Sequence, residues 1–164
     1  MLLSLFISAC KKSDITNKNA YEQSLQTWLK FKENSNDTYK YTVSQYLWPN
    51  QRSITIITVA NGKITQRYYK NISTKGLENI PKKALGWVEN ESNLNTHINN
   101  PAAQAITFDQ VYEIAKTTWL LKEKDSTSIF EAKNNCMISI CGFNREGCVD
   151  DCFVGINITS IEKL

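Results

Sequence analysis

Hydrophobic positions first recur with helical spacing. Tyr21, Leu25, Trp28, Leu29 and Lys32 stand at i, i+4, i+7, i+8 and i+11. This predicts a helix over residues 20–34, with the Lys32 stem covering the end of its apolar stripe. Asn34-Ser35-Asn36-Asp37 breaks the pattern, and the period then drops to two. Tyr39, Tyr41, Val43, Gln45 and Leu47 alternate with Lys40, Thr42, Ser44 and Tyr46, as in a half-buried strand. Trp48-Pro49-Asn50 turns the chain. Ser53 to Ala60 and Lys63 to Lys70 follow as two more strands around Asn61-Gly62. A two-residue type I′ turn needs positive φ at both positions, which Asn-Gly supplies.

Residues 71–105 carry no clear period. Gly76, Pro81, Gly86 and Pro101 punctuate an Asn-rich stretch with a short helix expected near Leu85 to Glu91. A connection this long is either a surface excursion or a functional loop. Thr107-Phe108-Asp109-Gln110 reads as a capping box, in which the Thr hydroxyl takes an orphan amide and Gln110 reaches back. Phe108, Val111, Tyr112, Ala115 and Trp119 then mark a helical face running to about Lys122. Ser128 to Ile140, with a kink at Asn134-Asn135, and Phe153 to Ile161 complete the chain as two strands. The expected class is α+β: an antiparallel sheet of about five strands packed against two helices, in the order α-β-β-β-α-β-β.

The N-terminus bears on location. Leu2 to Ala9 are apolar or small and run into Cys10. The stretch is too short to span a bilayer, which takes about 20 apolar residues. Ile7-Ser8-Ala9-Cys10 resembles a bacterial lipobox, an aliphatic residue and two small ones before an invariant Cys. That resemblance implies cleavage between Ala9 and Cys10 and lipid on the Cys10 sulfur. No Lys or Arg precedes the apolar run, so the true start is expected upstream. The expected organisation is a lipoprotein signal peptide over residues 1–9, a lipidated Cys10 with a polar tether over 10–19, and one globular domain over 20–164. Two or three acyl chains suffice for durable anchoring, so the protein is expected at a membrane of the bacterial envelope, on its periplasmic or outer-membrane side.

Export makes the other four cysteines candidates for disulfides. Cys136, Cys141, Cys148 and Cys152 fall within 17 residues. If Asn144-Arg145-Glu146-Gly147 is the turn of a hairpin, residues equidistant from it meet, which favours a nested set: Cys141–Cys148 inside Cys136–Cys152. A four-thiolate metal site fits less well, because the gaps of four, six and three residues lack the paired C-x₂-C knuckles of zinc sites. A thioredoxin-type role lacks its C-x-x-C pair.

Several of these elements together resemble a family of small bacterial lipoproteins known as domain of unknown function 6174. A helix bearing Trp28 precedes a Tyr-x-Tyr strand at Tyr39-Lys40-Tyr41. Thr58-Val59-Ala60-Asn61-Gly62 leads into a return strand, Thr107-Phe108-Asp109 opens a capped helix, and a final hairpin closes the chain. The resemblance covers roughly residues 25–161. The chain departs at the last hairpin, where Gly147-Cys148-Val149-Asp150-Asp151-Cys152 stands in place of the family's usual Gly-Tyr-Pro turn. The resemblance implies a fold and no activity.

Candidate chemistry is sparse. A chain of 164 residues with 41% hydrophobic and 21% charged residues can bury a real core. Its net charge of +3 is dispersed, with no basic stripe for nucleic acid. No Gly-rich phosphate loop is present, and no cofactor or metal is implied. His97 is the one histidine, and it lies in the Asn-rich stretch as an exposed loop residue rather than a base beside a nucleophile. Glu89 with Glu91, and Asp150 with Asp151, are the acid pairs to consider for glycoside hydrolysis. Trp48, Tyr68, Tyr69 and Trp87 could form an exposed aromatic cluster for a protein or glycan partner, against ordinary packing. The function expected is a lipid-anchored, non-enzymatic binding or interaction module. The alternative is a small envelope hydrolase or thiol enzyme with its site in residues 71–105 or at the Cys cluster.

Overall fold

The computed structural model describes residues 15–47, 51–73, 76–98, 100–149 and 152–164. Cys10, with the signal and lipid expectations attached to it, lies outside them, as do Trp48, Asp150 and Asp151. The described elements are α1 (Lys18–Asn34), β1 (Tyr39–Leu47), β2 (Gln51–Ala60), β3 (Lys63–Asn71), α2 (Lys82–Leu85), β4 (Gly86–Asn90), α3 (Phe108–Ile114), β5 (Ser126–Glu131), β6 (Ile140–Arg145) and β7 (Phe153–Lys163). The strands form one antiparallel sheet in the order β4-β3-β2-β1-β7-β6-β5.

The α+β class stands, but five strands on two helices does not: the described chain has seven strands and three helices. Two causes account for the difference. The segment expected as a helix near Leu85 to Glu91 is one turn of helix followed by β4, because Trp87 and Glu89 alternate as partners of Tyr69 and Arg67 on β3. The long strand expected over Ser128 to Ile140 is two strands. Asn135 and Cys136 both adopt left-handed φ, at 50° and 66°, and Asn134 bridges Met137 to fold the segment back on itself.

Other expectations hold at atomic detail. Asn61 and Gly62 have φ of 49° and 75° and close β2 onto β3. The capping box forms: the Gln110 amide donates to Thr107 Oγ1 (3.3 Å) and Gln110 Oε1 accepts from the Thr107 amide (2.7 Å). Beyond Ile114 the helix widens into a π-turn over Ala115–Trp119.

The helices meet the sheet through an aromatic core centred on Trp28. This fully buried side chain lies 4.9 Å from the Phe108 ring and 5.0 Å from the Tyr39 ring, centroid to centroid. Its Nε1 donates to Asp109 Oδ1 (2.9 Å), and Lys32 Nζ holds the other carboxylate oxygen (2.6 Å). Leu29, placed on this face by the spacing, is instead 45% exposed, and Ser24 is buried in the stripe. The Ser24 hydroxyl is accommodated there because it shares a 2.7 Å hydrogen bond with the Tyr112 hydroxyl.

Candidate functional site

One irregularity in β7 shapes the molecule. From Tyr39↔Lys163 to Thr42↔Ser160, β1 and β7 pair in constant register; at Val43↔Ile158 the register slips by one residue, leaving Thr159 as a bulge. A bulge bends its strand and ends regular pairing. Beyond Val43 the two strands part: β1 continues to Leu47 paired only with β2, and β7 continues back to Phe153 paired only with β6. The sheet is therefore split at its middle.

A cleft of about 960 Å³ fills the split. Val43, Ser44, Gln45 and Tyr46 line it from β1, and Phe153, Gly155, Ile156 and Asn157 from β7. Ile106, Ile114 and Trp119 add apolar surface from the chain before α3 and from α3 with its π-turn, while Ile129 and Ile140 add it from β5 and β6. The size falls in the range of ligand sites, and Gln104, Glu131, Asn144 and Asn157 set polar groups among the apolar side chains of the lining. Two polar atoms in the wall are conspicuous. Ser44 Oγ and Gln45 Oε1 are buried and have no hydrogen-bond partner among the described residues. Such groups ordinarily cost about 1–3 kcal/mol unless something satisfies them.

Residues 95–98 and 100–106 lie across the sheet as a strap that forms one wall of this cleft, through Ala102, Ala103, Gln104 and Ile106. A buried ion cluster fastens the strap. Arg67 (4% exposed) donates through Nε to the Ala103 carbonyl (2.8 Å) and through Nη2 to the Ala102 carbonyl (3.3 Å). Its Nη1 meets Glu89 Oε2 at 3.2 Å. Glu89, fully buried, also accepts the amides of Asn95 and His97 at 2.7 Å each and faces His97 Nδ1 at 3.0 Å. The His97 ring lies flat on Trp87 (4.2 Å, 3° between planes), and the Arg67 guanidinium sits 4.9 Å from the Trp87 centroid. Burial pushes the Glu89 pKa up, but the two amides, the His97 ring and Arg67 outweigh it and hold the carboxyl at about 2, below its ordinary 4.5.

A carboxyl held low in the folded state binds its proton more readily when unfolded. Its stabilising contribution is complete above pH 4.5 and is lost as pH falls through that value toward 2. Chemical denaturation between pH 6 and pH 2 is expected to show this loss, with a shallower slope in Glu89→Gln.

The residues singled out by sequence are thus partly gathered. Glu89, His97, Trp87 and Tyr69 come together in the strap anchor; Glu91 stays exposed and forms no acid pair with Glu89. Among the described residues, the His97 ring makes its only hydrogen bond to Glu89 and meets no hydroxyl or thiol nucleophile. Arg67 and the cleft residues escaped the sequence reading. For Arg67 a signal existed: it occupies the same alternation as Tyr69 and Asn71 on β3, so a charge stood in a buried row.

The cysteines pair differently from expectation. Cys148 bonds Cys152, and Cys136 and Cys141 are free thiols, one exposed and one buried. The nested pairs Cys141–Cys148 and Cys136–Cys152 fail because the β6–β7 turn lies further along. Register places Cys141 opposite Ile156 and Asn144 opposite Phe153, so Cys148 sits at the tip and its near neighbour is Cys152. Burial pushes the Cys141 thiol up to about 12. In a Cys10→Ser protein, a thiol reagent is therefore expected to modify Cys136 in the native state and Cys141 only in denaturant. Among the described residues no cluster of three potential metal ligands forms, and no helix is long and apolar enough to cross a membrane.

Comparison with family models, curated proteins and solved structures found no match.

Proposed function

We propose that this chain is a lipid-anchored module of the bacterial envelope that binds a ligand in the split of its sheet and catalyses nothing itself. The anchor rests on Ile7-Ser8-Ala9-Cys10. The binding role rests on the cleft between β1 and β7, with Ser44 Oγ and Gln45 Oε1 buried in its wall without partners. A chain built only for stability has no use for such a void, since an unfilled cavity and unsatisfied polar atoms both lower stability. The Glu89–His97 pair is read as structure, because both Glu89 oxygens are spent on the strap and on Arg67.

Three measurements test this reading. Metabolic labelling with a fatty-acid analogue is expected to mark the wild type and not Cys10→Ser; label retained in the variant would refute the anchor. The fluorophore 1-anilinonaphthalene-8-sulfonate is expected to brighten with the full chain and to lose that signal in Gln104→Trp, which fills the cleft from the exposed strap. Turnover in a hydrolase substrate screen that disappears in His97→Ala would overturn the non-enzymatic reading.

A further inference from the structure

The hydrogen-bonding phase of the two strands at the split can be read from the ladders beside it. The Leu164 amide donates to the Thr38 carbonyl (3.3 Å), continuing the Tyr39↔Lys163 register. Even-numbered residues of β1 therefore turn their main-chain groups toward β7, and odd-numbered ones toward β2. The Ile158 amide donates to the Ser139 carbonyl (2.6 Å), continuing the Ile140↔Asn157 register. Even-numbered residues of this part of β7 bond β6, and its odd-numbered residues face β1. Val43↔Ile158 is then a non-hydrogen-bonded pair, so the Ser44 amide donates to the Asn157 carbonyl and closes the ladder. Beyond that bond the main-chain groups of Tyr46 on one side and Gly155 on the other, with the Ser44 carbonyl and the Asn157 amide at the fork, point into the cleft, and no described strand takes them. The cleft is walled by two free strand edges that face each other.

We infer that the ligand of this cleft is an extended polypeptide segment that enters the split and adds to the edges of β1 and β7. The inference rests on the binding role proposed above and names its ligand class. A peptide main chain supplies alternating donors and acceptors at the spacing a strand edge requires, which a small apolar molecule does not. Its side chains would project alternately to the two faces of the sheet. One row would meet Ile106, Ile114 and Trp119 on the helix side, and the other Ile129, Ile140 and Phe153 on the opposite side. Glu131 is the one charged residue in the lining. The row toward the helices is therefore apolar, while the other row meets Glu131, Asn144 and Asn157 beside Ile129, Ile140 and Phe153 and mixes apolar with polar side chains.

The test uses the full chain in detergent and a displayed library of linear dodecapeptides. Selected peptides are expected to carry an apolar residue at every second position and to lose binding in Gln104→Trp. Synthetic versions N-methylated at alternate residues keep every side chain and lose the donors on one edge. Binding should weaken about tenfold or more, the equivalent of two lost hydrogen bonds. Tyr46→Pro removes one amide that points into the cleft and costs the β1–β2 ladder nothing, since proline is tolerated at such edges. It is expected to bind about fivefold more weakly than Tyr46→Ala, which loses the same side chain but keeps the amide. Peptides indifferent to both N-methylation and Tyr46→Pro would overturn the inference. So would fluorophore binding that Gln104→Trp abolishes while no peptide competes, and in that outcome the cleft still binds. If neither fluorophore nor peptide responds to Gln104→Trp, the binding role itself fails.

Discussion

Glu89→Ala is expected to lower the free energy of unfolding by about 3–5 kcal/mol, because it strands the buried Arg67 charge. The geometry leaves Arg67 no escape. Its guanidinium is 4% exposed and fixed by the carbonyls of Ala102 and Ala103, neither of which carries a compensating charge. The same substitution frees the amides of Asn95 and His97. The strap, held at Asn95, His97, Ala102 and Ala103, should therefore loosen before the sheet does. Urea denaturation measures the global loss, and amide hydrogen exchange at Asn95 and His97 locates it. Exchange at these two positions unchanged from wild type would show that the strap is held by other means. Arg67→Met with Glu89→Leu should recover the part of the loss due to the unpaired charge, but not the part due to the Asn95 and His97 amides, which stay without an acceptor.

Trp28→Ala is expected to cost about as much, roughly 3–5 kcal/mol, for a different reason. It removes the largest fully buried side chain and leaves a void bounded by Phe31, Tyr39, Phe108 and Tyr112, rings that cannot all close on one point. It also leaves Asp109 Oδ1 without its indole donor. Trp28→Phe keeps most of the volume and loses the hydrogen bond, so it should fall between the wild type and alanine. A Trp28→Phe protein as unstable as Trp28→Ala would mean that the Asp109 contact, rather than packing, dominates. Thermal unfolding followed by near-ultraviolet circular dichroism reads both variants.

How far the sequence carried depends on the range of the forces at work. Asn61-Gly62 and the Thr107–Gln110 box were legible because each is decided within four residues by φ preference and a local hydrogen bond. The alternation along β1 was legible because Tyr39, Tyr41 and Val43 are buried on one face of it. β4 was not, since its five residues become a strand only by lying against β3, at the end of a connection without period. The kink expected at Asn134-Asn135 is a full reversal between β5 and β6; its extent depends on a left-handed Cys136, and a left-handed Cys is not a turn signal. The disulfide was misplaced for a related reason. Four cysteines near a turn say that a bridge is possible, but the turn's position is set by the pairing of β6 with β7, which no local motif announces. The cleft was least accessible of all. It follows from where two ladders stop rather than from the type of any side chain.

Thr159 gives that last point its mechanical meaning. Even-numbered residues of β7 bond β1 near the C-terminus and bond β6 further back, so one strand is read in two frames joined by a single surplus residue. Removing Thr159 would merge the two frames, because Val43↔Ile158 would then follow Thr42↔Ser160 without a slip and no surplus residue would bend β7 away from β1. The opening in the sheet is therefore an arithmetical property of the chain, present as long as the count between Ile158 and Ser160 is kept, and indifferent to which side chain occupies the place.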